Sequence, residues 1–206
     1  MELNYKKQKN YEVTYENVKN EFKNTQFKHL IKNVKSGGGS IKNGNIFVIP
    51  FFNINHYIKH PEGDITREDK KPVSLAGKIL LFRYILNIVD RPLSGELINY
   101  KNIPGAFNYY PVFASKNINP ILQKFNDLES LKNACTKLSG KQLDIGDFSY
   151  EFNVFPKCPI TLIYYKGDED FPPSLDFLFD DLIKYIFSPE DIVVLCNLLS
   201  KRIIFS

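Results

Sequence analysis

Two strand-like segments that follow one another near residue 150 constrain the fold of this chain most. In Phe148–Phe155 (FSYEFNVF) the side chains alternate between two faces, one of which is wholly aromatic or apolar, and this predicts a strand against a core. The turn Pro156-Lys157-Cys158-Pro159 separates it from a β-branched and aromatic segment, ITLIYYK, over residues 160–166. We therefore predict an antiparallel hairpin.

Three main helices are predicted around this hairpin. Residues 73–89 are apolar on nearly all sides, which is typical of a buried helix. Residues 119–138 and 189–204 each carry a single apolar stripe at helical spacing. Ser188 and Asp191 have the spacing of a capping box at the start of the last helix.

Strands and helices in this order predict an α+β fold, with a mixed or largely antiparallel sheet packed against the three main helices. We expect a single domain over residues 17–206, preceded by an N-terminal extension over residues 1–16. Another helix is predicted over residues 17–35. The three glycines Gly37–Gly39 that follow are interpreted as a flexible linker rather than a phosphate-binding loop, because no GK[ST] motif follows them.

Composition excludes several classes of protein. The formal net charge of +4 is small and its excess lies mainly near the N-terminus, which is weak evidence for a polyanion partner, so we predict no nucleic-acid partner. The sequence contains no run of 18 apolar residues, so we predict no membrane span. The polar start MELNYKKQKN lacks the apolar segment of a signal peptide, which favours a cytoplasmic location. The three cysteines are widely spaced and are expected to be reduced and mostly buried. With 17 Phe, 12 Tyr and no Trp, we expect a Phe-rich core with many Tyr at its edges.

The acidic turn, Gly167 to Pro173 (GDEDFPP), is the leading candidate site. Asp168, Glu169 and Asp170 follow the second hairpin strand, and closely spaced carboxylates are suited to binding a hard cation such as Ca²⁺. The order of ligands in an EF-hand is absent, so a solvated turn is the alternative. Asp176, Asp180 and Asp181 follow soon after the turn, and a third reading is that one of these six acids neutralises Arg83 or a lysine.

Arg83 is a candidate because it lies within the most apolar helix. An unpaired buried guanidinium costs several kcal/mol, so Arg83 either extends to the surface or meets a carboxylate.

The segment FNYYPVF over residues 107–113, which contains Tyr109 and Tyr110, is a second candidate. It reads as a binding wall for a flat ligand or as a packed loop under the sheet. His56 and His60 are four residues apart and are weak metal candidates, as are Asp168 and Asp170. The alternative is that the two histidines lie in a surface loop.

No sequence motif identifies a reaction or a cofactor. There is no GxSxG elbow, no Rossmann glycine pattern and no Walker motif. The three histidines do not indicate a general base.

The blocks LLFRYILN, GDFSYEFNVFPKCPITLIYYKGDEDFPPSLDFLFD and SPEDIVVLCNLLSKRI resemble a prokaryotic family called domain of unknown function 3786. Its most specific motif corresponds to Gly167, Asp168, Glu169, Phe171, Pro172, Pro173, Phe179 and Asp180. The resemblance implies an origin in anaerobes, and some members are joined to iron–sulfur domains of the kind found in corrinoid proteins. It therefore implies an accessory role near corrinoid or one-carbon chemistry, and it implies no catalytic residues.

Two functions follow from these features. The first is a soluble binding or accessory module that holds a small polar or cofactor-like ligand, or a protein partner, through the acidic turn and residues 107–113. The alternative is a small enzyme that uses Asp168, Glu169 or Asp170 as acid, base or metal ligands, with Arg83 binding an anion.

Overall fold

The structure is a computed structural model that describes residues 2–125 and 127–206, with side chains from residue 9 onward. The chain divides into two compact units. Unit 1 comprises the residues up to 92 together with residues 155–157, and unit 2 comprises residues 93–154 and 158–206. The expectation of a single domain over residues 17–206 depends on how these units combine, so it stays a prediction.

Unit 1 combines helices with an antiparallel sheet whose strands follow chain order. Its elements are α1 (Glu2–Asn24), α2 (Phe27–Ser36), β1 (Ser40–Lys42), β2 (Ile46–Phe51), β3 (Ile54–Lys59), β4 (Asp64–Arg67) and α3 (Leu75–Asn87). Between β3 and β4, Tyr57 lies opposite Thr66 and His56 opposite Arg67. Phe22, Phe47 and Phe82 are fully buried, as expected for a Phe-rich core.

The predicted helix over residues 17–35 is wrong in its bounds. Helix α1 begins at Glu2 and ends at Asn24, and α2 starts at Phe27. Asn24 and Thr25 are weak helix formers, and the Thr25 hydroxyl donates to the Glu21 carbonyl at 2.8 Å where the helix stops. Residues 2–16, predicted to be an extension, are therefore helical, while Met1 lies outside the described residues.

The glycine turn, Gly37–Gly39, is a packed turn and not a flexible linker. Gly37 ends α2, and strand β1 begins at Ser40 directly after Gly39. A Cβ added to Gly39 would lie 2.6 Å from Ile49 Cδ1 and 2.7 Å from the Val48 carbonyl oxygen. The glycine is required there because the backbone passes so close to β2.

Unit 2 contains the second antiparallel sheet, with strand order β5-β9-β8-β7-β6. Its elements are β5 (Leu97–Asn99), α4 (Tyr110–Phe113), α5 (Asn119–Lys124), α6 (Leu128–Lys137), β6 (Lys141–Leu143), β7 (Phe148–Phe155), β8 (Cys158–Tyr165), β9 (Ser174–Asp180), α7 (Ile183–Ile186) and α8 (Pro189–Ile204). Strands β7 and β8 are hydrogen-bonded neighbours, so the predicted hairpin is confirmed.

The predicted helix over residues 119–138 is interrupted. Helix α5 ends at Lys124, and α6 starts at Leu128 after Asp127, whose carboxylate accepts from the Ser130 N–H at 2.7 Å. This N-cap is a local signal that the apolar stripe alone does not show. Asn126, inside the predicted helix, lies outside the described residues.

Helices and antiparallel sheets make this an α+β protein, as predicted. Helices α3 and α8 occupy the predicted segments, and the capping box of Ser188 and Asp191 is present. The three cysteines are free and buried. Tyr84 and Tyr100 are fully buried instead of lying at the core edge, because each hydroxyl donates to a backbone carbonyl. Among the described residues, no helix is both long and apolar enough to cross a membrane.

Candidate functional site

The acidic turn is exposed and is held by its own first carboxylate. Asp168 Oδ1 accepts from the N–H groups of Asp170 and Phe171 at 3.0 and 2.8 Å. The Asp168 N–H in turn donates to the Phe171 carbonyl at 2.9 Å. The Asp168 side chain therefore shapes the turn, while Glu169 and Asp170 are exposed to solvent.

The later acids of this stretch have structural roles. Asp180, only 4% exposed, accepts from the N–H groups of Ser94, Gly95 and Leu182 at 3.1, 2.8 and 2.9 Å. Burial alone would raise the pKa of the Asp180 carboxyl, but these hydrogen bonds lower it below its ordinary value. Asp181 is paired with Lys184 at 2.6 Å.

Arg83 lies in unit 1, where it meets a carboxylate of α1. Its Nη1 is 3.5 Å from Glu21 Oε2, and both side chains are partly exposed to water. The Arg83 Nε is buried without a hydrogen-bond partner among the described atoms. Both alternatives for Arg83 thus apply in part, because its side chain reaches water and also meets a carboxylate, that of Glu21, which sequence spacing did not indicate.

The two histidines are part of the packing of unit 1. His56 is buried in β3, and its Nδ1 lies 2.9 Å from the Ile54 carbonyl, so the surface-loop reading is wrong for this residue. The His60 ring packs against Phe22 and Phe27, with centroid distances of 5.4 and 4.8 Å. Burial lowers the pKa of His60, although the charge of Glu62 acts the other way.

Across the described residues, no group of three or more His, Cys, Asp or Glu side chains is arranged to hold a metal ion. This finding covers the acidic turn and both histidines. The metal roles of Asp168, Asp170, His56 and His60 thus gain no geometric support.

The segment at residues 107–113 forms two short helical turns, the second of which is α4. Phe113 is fully buried and stacks on Tyr100 with centroids 4.1 Å apart. Phe107, Tyr109 and Val112 are 71%, 47% and 43% exposed, and together we call them the aromatic face. The packed-loop reading therefore holds for Phe113, while the aromatic face is open to solvent and its binding of a flat ligand stays a prediction.

A polar cluster that the sequence did not reveal lies beside Tyr110. The Lys101 ammonium is 4.0 Å from the centre of the Tyr110 ring. Burial raises the pKa of the Asp176 carboxyl above its ordinary value, although the Phe177 N–H and the charge of Lys101 act the other way. Burial and the charge of Asp176 raise the pKa of Tyr110. The cluster offers a cation, a carboxyl and a phenol for polar contacts.

Comparison with known protein families decides where the chain belongs. The model of the domain of unknown function 3786 (DUF3786) matches residues 31–202. The chain belongs to this family. No curated protein and no solved structure matches it.

The DUF3786 match includes all the candidate site residues: Arg83, Tyr109, Tyr110, Asp168, Glu169, Asp170, His56 and His60. Glu21, the partner of Arg83, lies outside the matched range. The description of the family names no activity, and fold or family membership alone does not specify a function.

Proposed function

We propose that the protein is an accessory module that binds a partner protein through the aromatic face. The observation that carries this proposal is the exposure of Phe107, Tyr109 and Val112 within six consecutive residues. Single exposed apolar residues are ordinary, whereas several large apolar side chains exposed within one short segment indicate a candidate interaction surface. Aromatic residues also dominate the binding energy of protein interfaces.

Buried aromatic contacts fix the segment that carries the aromatic face. Phe113 stacks on Tyr100 with an interplanar angle of 6° and meets Phe177 edge-on at 6.3 Å. The Tyr100 hydroxyl donates to the Pro189 carbonyl at 3.1 Å. A surface that is ordered before binding loses less conformational entropy when a partner docks, so these buried contacts favour tight binding.

Polar groups beside the aromatic face supply a rim. Lys101, Tyr110 and Asp176 are neighbours in one cluster, and they offer charge and hydrogen bonds of both kinds. Small-molecule sites bury most of the ligand in a concave pocket, whereas the three side chains of the aromatic face are largely open to solvent. This exposure favours a protein surface over a small flat ligand.

The family resemblance supports a partner that carries a corrinoid or iron–sulfur group in the cytoplasm of an anaerobe. The acidic turn is assigned a secondary role as an exposed, negatively charged contact through Glu169 and Asp170. We do not propose the enzymatic alternative, because Asp168 Oδ1 is engaged by the backbone of its own turn and the Glu169 and Asp170 side chains are exposed to solvent.

Calorimetric titration with a purified corrinoid iron–sulfur protein tests the proposal. Phe107→Ser with Val112→Ser is expected to weaken binding by about a hundredfold, as for the loss of an interface anchor. The control, Ile145→Ser with Phe205→Ser, removes two other exposed apolar side chains of unit 2 and should leave affinity unchanged. Absence of binding by the natural chain, or equal losses in both variants, would contradict the proposal.

A further inference from the structure

We propose that unit 1 carries a second site, a pocket beside β4 that binds a phosphomonoester attached to a flat ring, such as a nucleoside monophosphate. This site is independent of the aromatic face, which belongs to unit 2.

The pocket lies between the β3–β4 pair and the segment that leads into α3. Its volume is about 560 Å³, within the range of roughly 300–1,000 Å³ that small-molecule sites occupy. The cationic residues that line it are Arg67, Lys70, Lys71 and Lys78, and Glu68 is its one lining carboxylate.

The lysines determine the charge of this pocket. Arg67 is engaged by Asp69, with 2.6 Å between Nη2 and Oδ2. Within the described part of the chain, Lys70, Lys71 and Lys78 form no salt bridge with a carboxylate. Apart from the Arg67–Asp69 pair, the three lysines contribute three positive charges and Glu68 one negative charge, so the net charge of the pocket is +2. A phosphomonoester carries roughly −1.5 to −2 at neutral pH, so the pocket and this ligand balance.

The other wall of the pocket suits a ring. Tyr57 and Thr66 are directly opposite one another in the ladder, so their side chains share one face of the sheet. Pro72 and Val73 add apolar surface on the side of α3. An aromatic side chain next to a hydroxyl and several ammonium groups matches a molecule with a flat ring at one end and a dianion at the other.

Isothermal titration of the full chain with adenosine monophosphate at low ionic strength tests this site. We expect saturable binding with one ligand per chain. Lys71→Gln with Lys78→Gln should weaken it at least about tenfold, because two charge-assisted contacts are lost. Lys124→Gln with Lys137→Gln removes the same charge from unit 2 and should change affinity less than about twofold. No saturable binding, or equal weakening in both variants, overturns the proposal.

Two further titrants separate the parts of the ligand. Inorganic phosphate should bind more weakly than adenosine monophosphate and should lose affinity in the same lysine variant, while adenosine should bind more weakly still. Tyr57→Leu should weaken binding of the nucleotide and leave that of phosphate unchanged. Equal affinity for phosphate and the nucleotide overturns the role of the ring. Equal affinity for adenosine and the nucleotide overturns the role of the anion.

Discussion

The glycine turn at residues 37–39 and the acidic turn at residues 167–173 both connect regular elements, but they are held in opposite ways. The glycine turn is fixed by close packing, with Gly39 pressed against β2. The acidic turn is fixed by hydrogen bonds from its own backbone to Asp168, while its side chains face water. A turn of the first kind serves the fold alone, whereas one of the second kind leaves side chains available for contacts.

The largest effect is expected at the glycine turn. Gly39→Ala should lower the free energy of unfolding by about 3 kcal/mol, because the new methyl group collides with Ile49 and the Val48 carbonyl. Urea denaturation measures the change. The matched control is Gly44→Ala, where φ is +79° but nothing lies within 4 Å, and which should cost about 1 kcal/mol. Equal costs at the two positions would mean that Gly39 is not tightly packed.

A buried carboxylate should give the next largest effect. Asp180→Asn should cost about 2 kcal/mol at neutral pH, because the backbone donors of Ser94, Gly95 and Leu182 lose a charged acceptor. The pKa of folded Asp180 lies below the unfolded value of about 3.9, so its stabilisation is present above that value. The stabilisation is lost as the pH falls through the folded pKa.

Urea denaturation of both proteins across this acidic range checks the prediction. The difference between the natural chain and Asp180→Asn should shrink as the pH falls. A difference that stays constant would show that the lost charge is not the cause.

A smaller effect is expected within the acidic turn. Asp168→Ala should cost about 0.5 kcal/mol, because the two N–H groups that it accepts can turn to water. Asp168→Asn keeps a side-chain oxygen and should cost less. Thermal denaturation compares the stability of the two variants. A loss of stability in Asp168→Ala as large as that of Asp180→Asn would contradict the view that the exposed carboxylate contributes less than the buried one.

The smallest effect is expected for Glu169→Gln with Asp170→Asn. These exposed side chains should change stability by less than about 0.5 kcal/mol. Millimolar Ca²⁺ or Mn²⁺ should leave the melting temperature of the natural chain unchanged. A rise in melting temperature that the double variant abolishes would restore the cation-site hypothesis.

The parts of the fold that the sequence predicted are those with a local cause. Alternation over residues 148–155 and the capping box of Ser188 and Asp191 each involve only near neighbours, and both are present. The apolar stripe of residues 119–138 concealed a break at Asp127, because an N-cap depends on a single side chain.

Less of the candidate site was predictable. The exposure of the acidic turn followed from its polar sequence, and Arg83 was expected to need either water or a carboxylate. The identity of Glu21 as its partner depends on how α1 packs against α3, and no periodicity encodes that pairing. The cluster of Lys101, Tyr110 and Asp176 likewise joins three separate segments of unit 2.

Residues 155–157 belong to unit 1 although they are synthesised long after residue 92. The Phe155 ring is sandwiched between Phe51 and Tyr84, with centroids 4.4 and 4.3 Å away, and the Lys157 N–H donates to the Tyr84 hydroxyl at 3.1 Å. A nascent chain that has emerged only as far as residue 92 lacks this aromatic filling. The packing of unit 1 can therefore be completed only after residues 93–157, which include much of unit 2, have been translated.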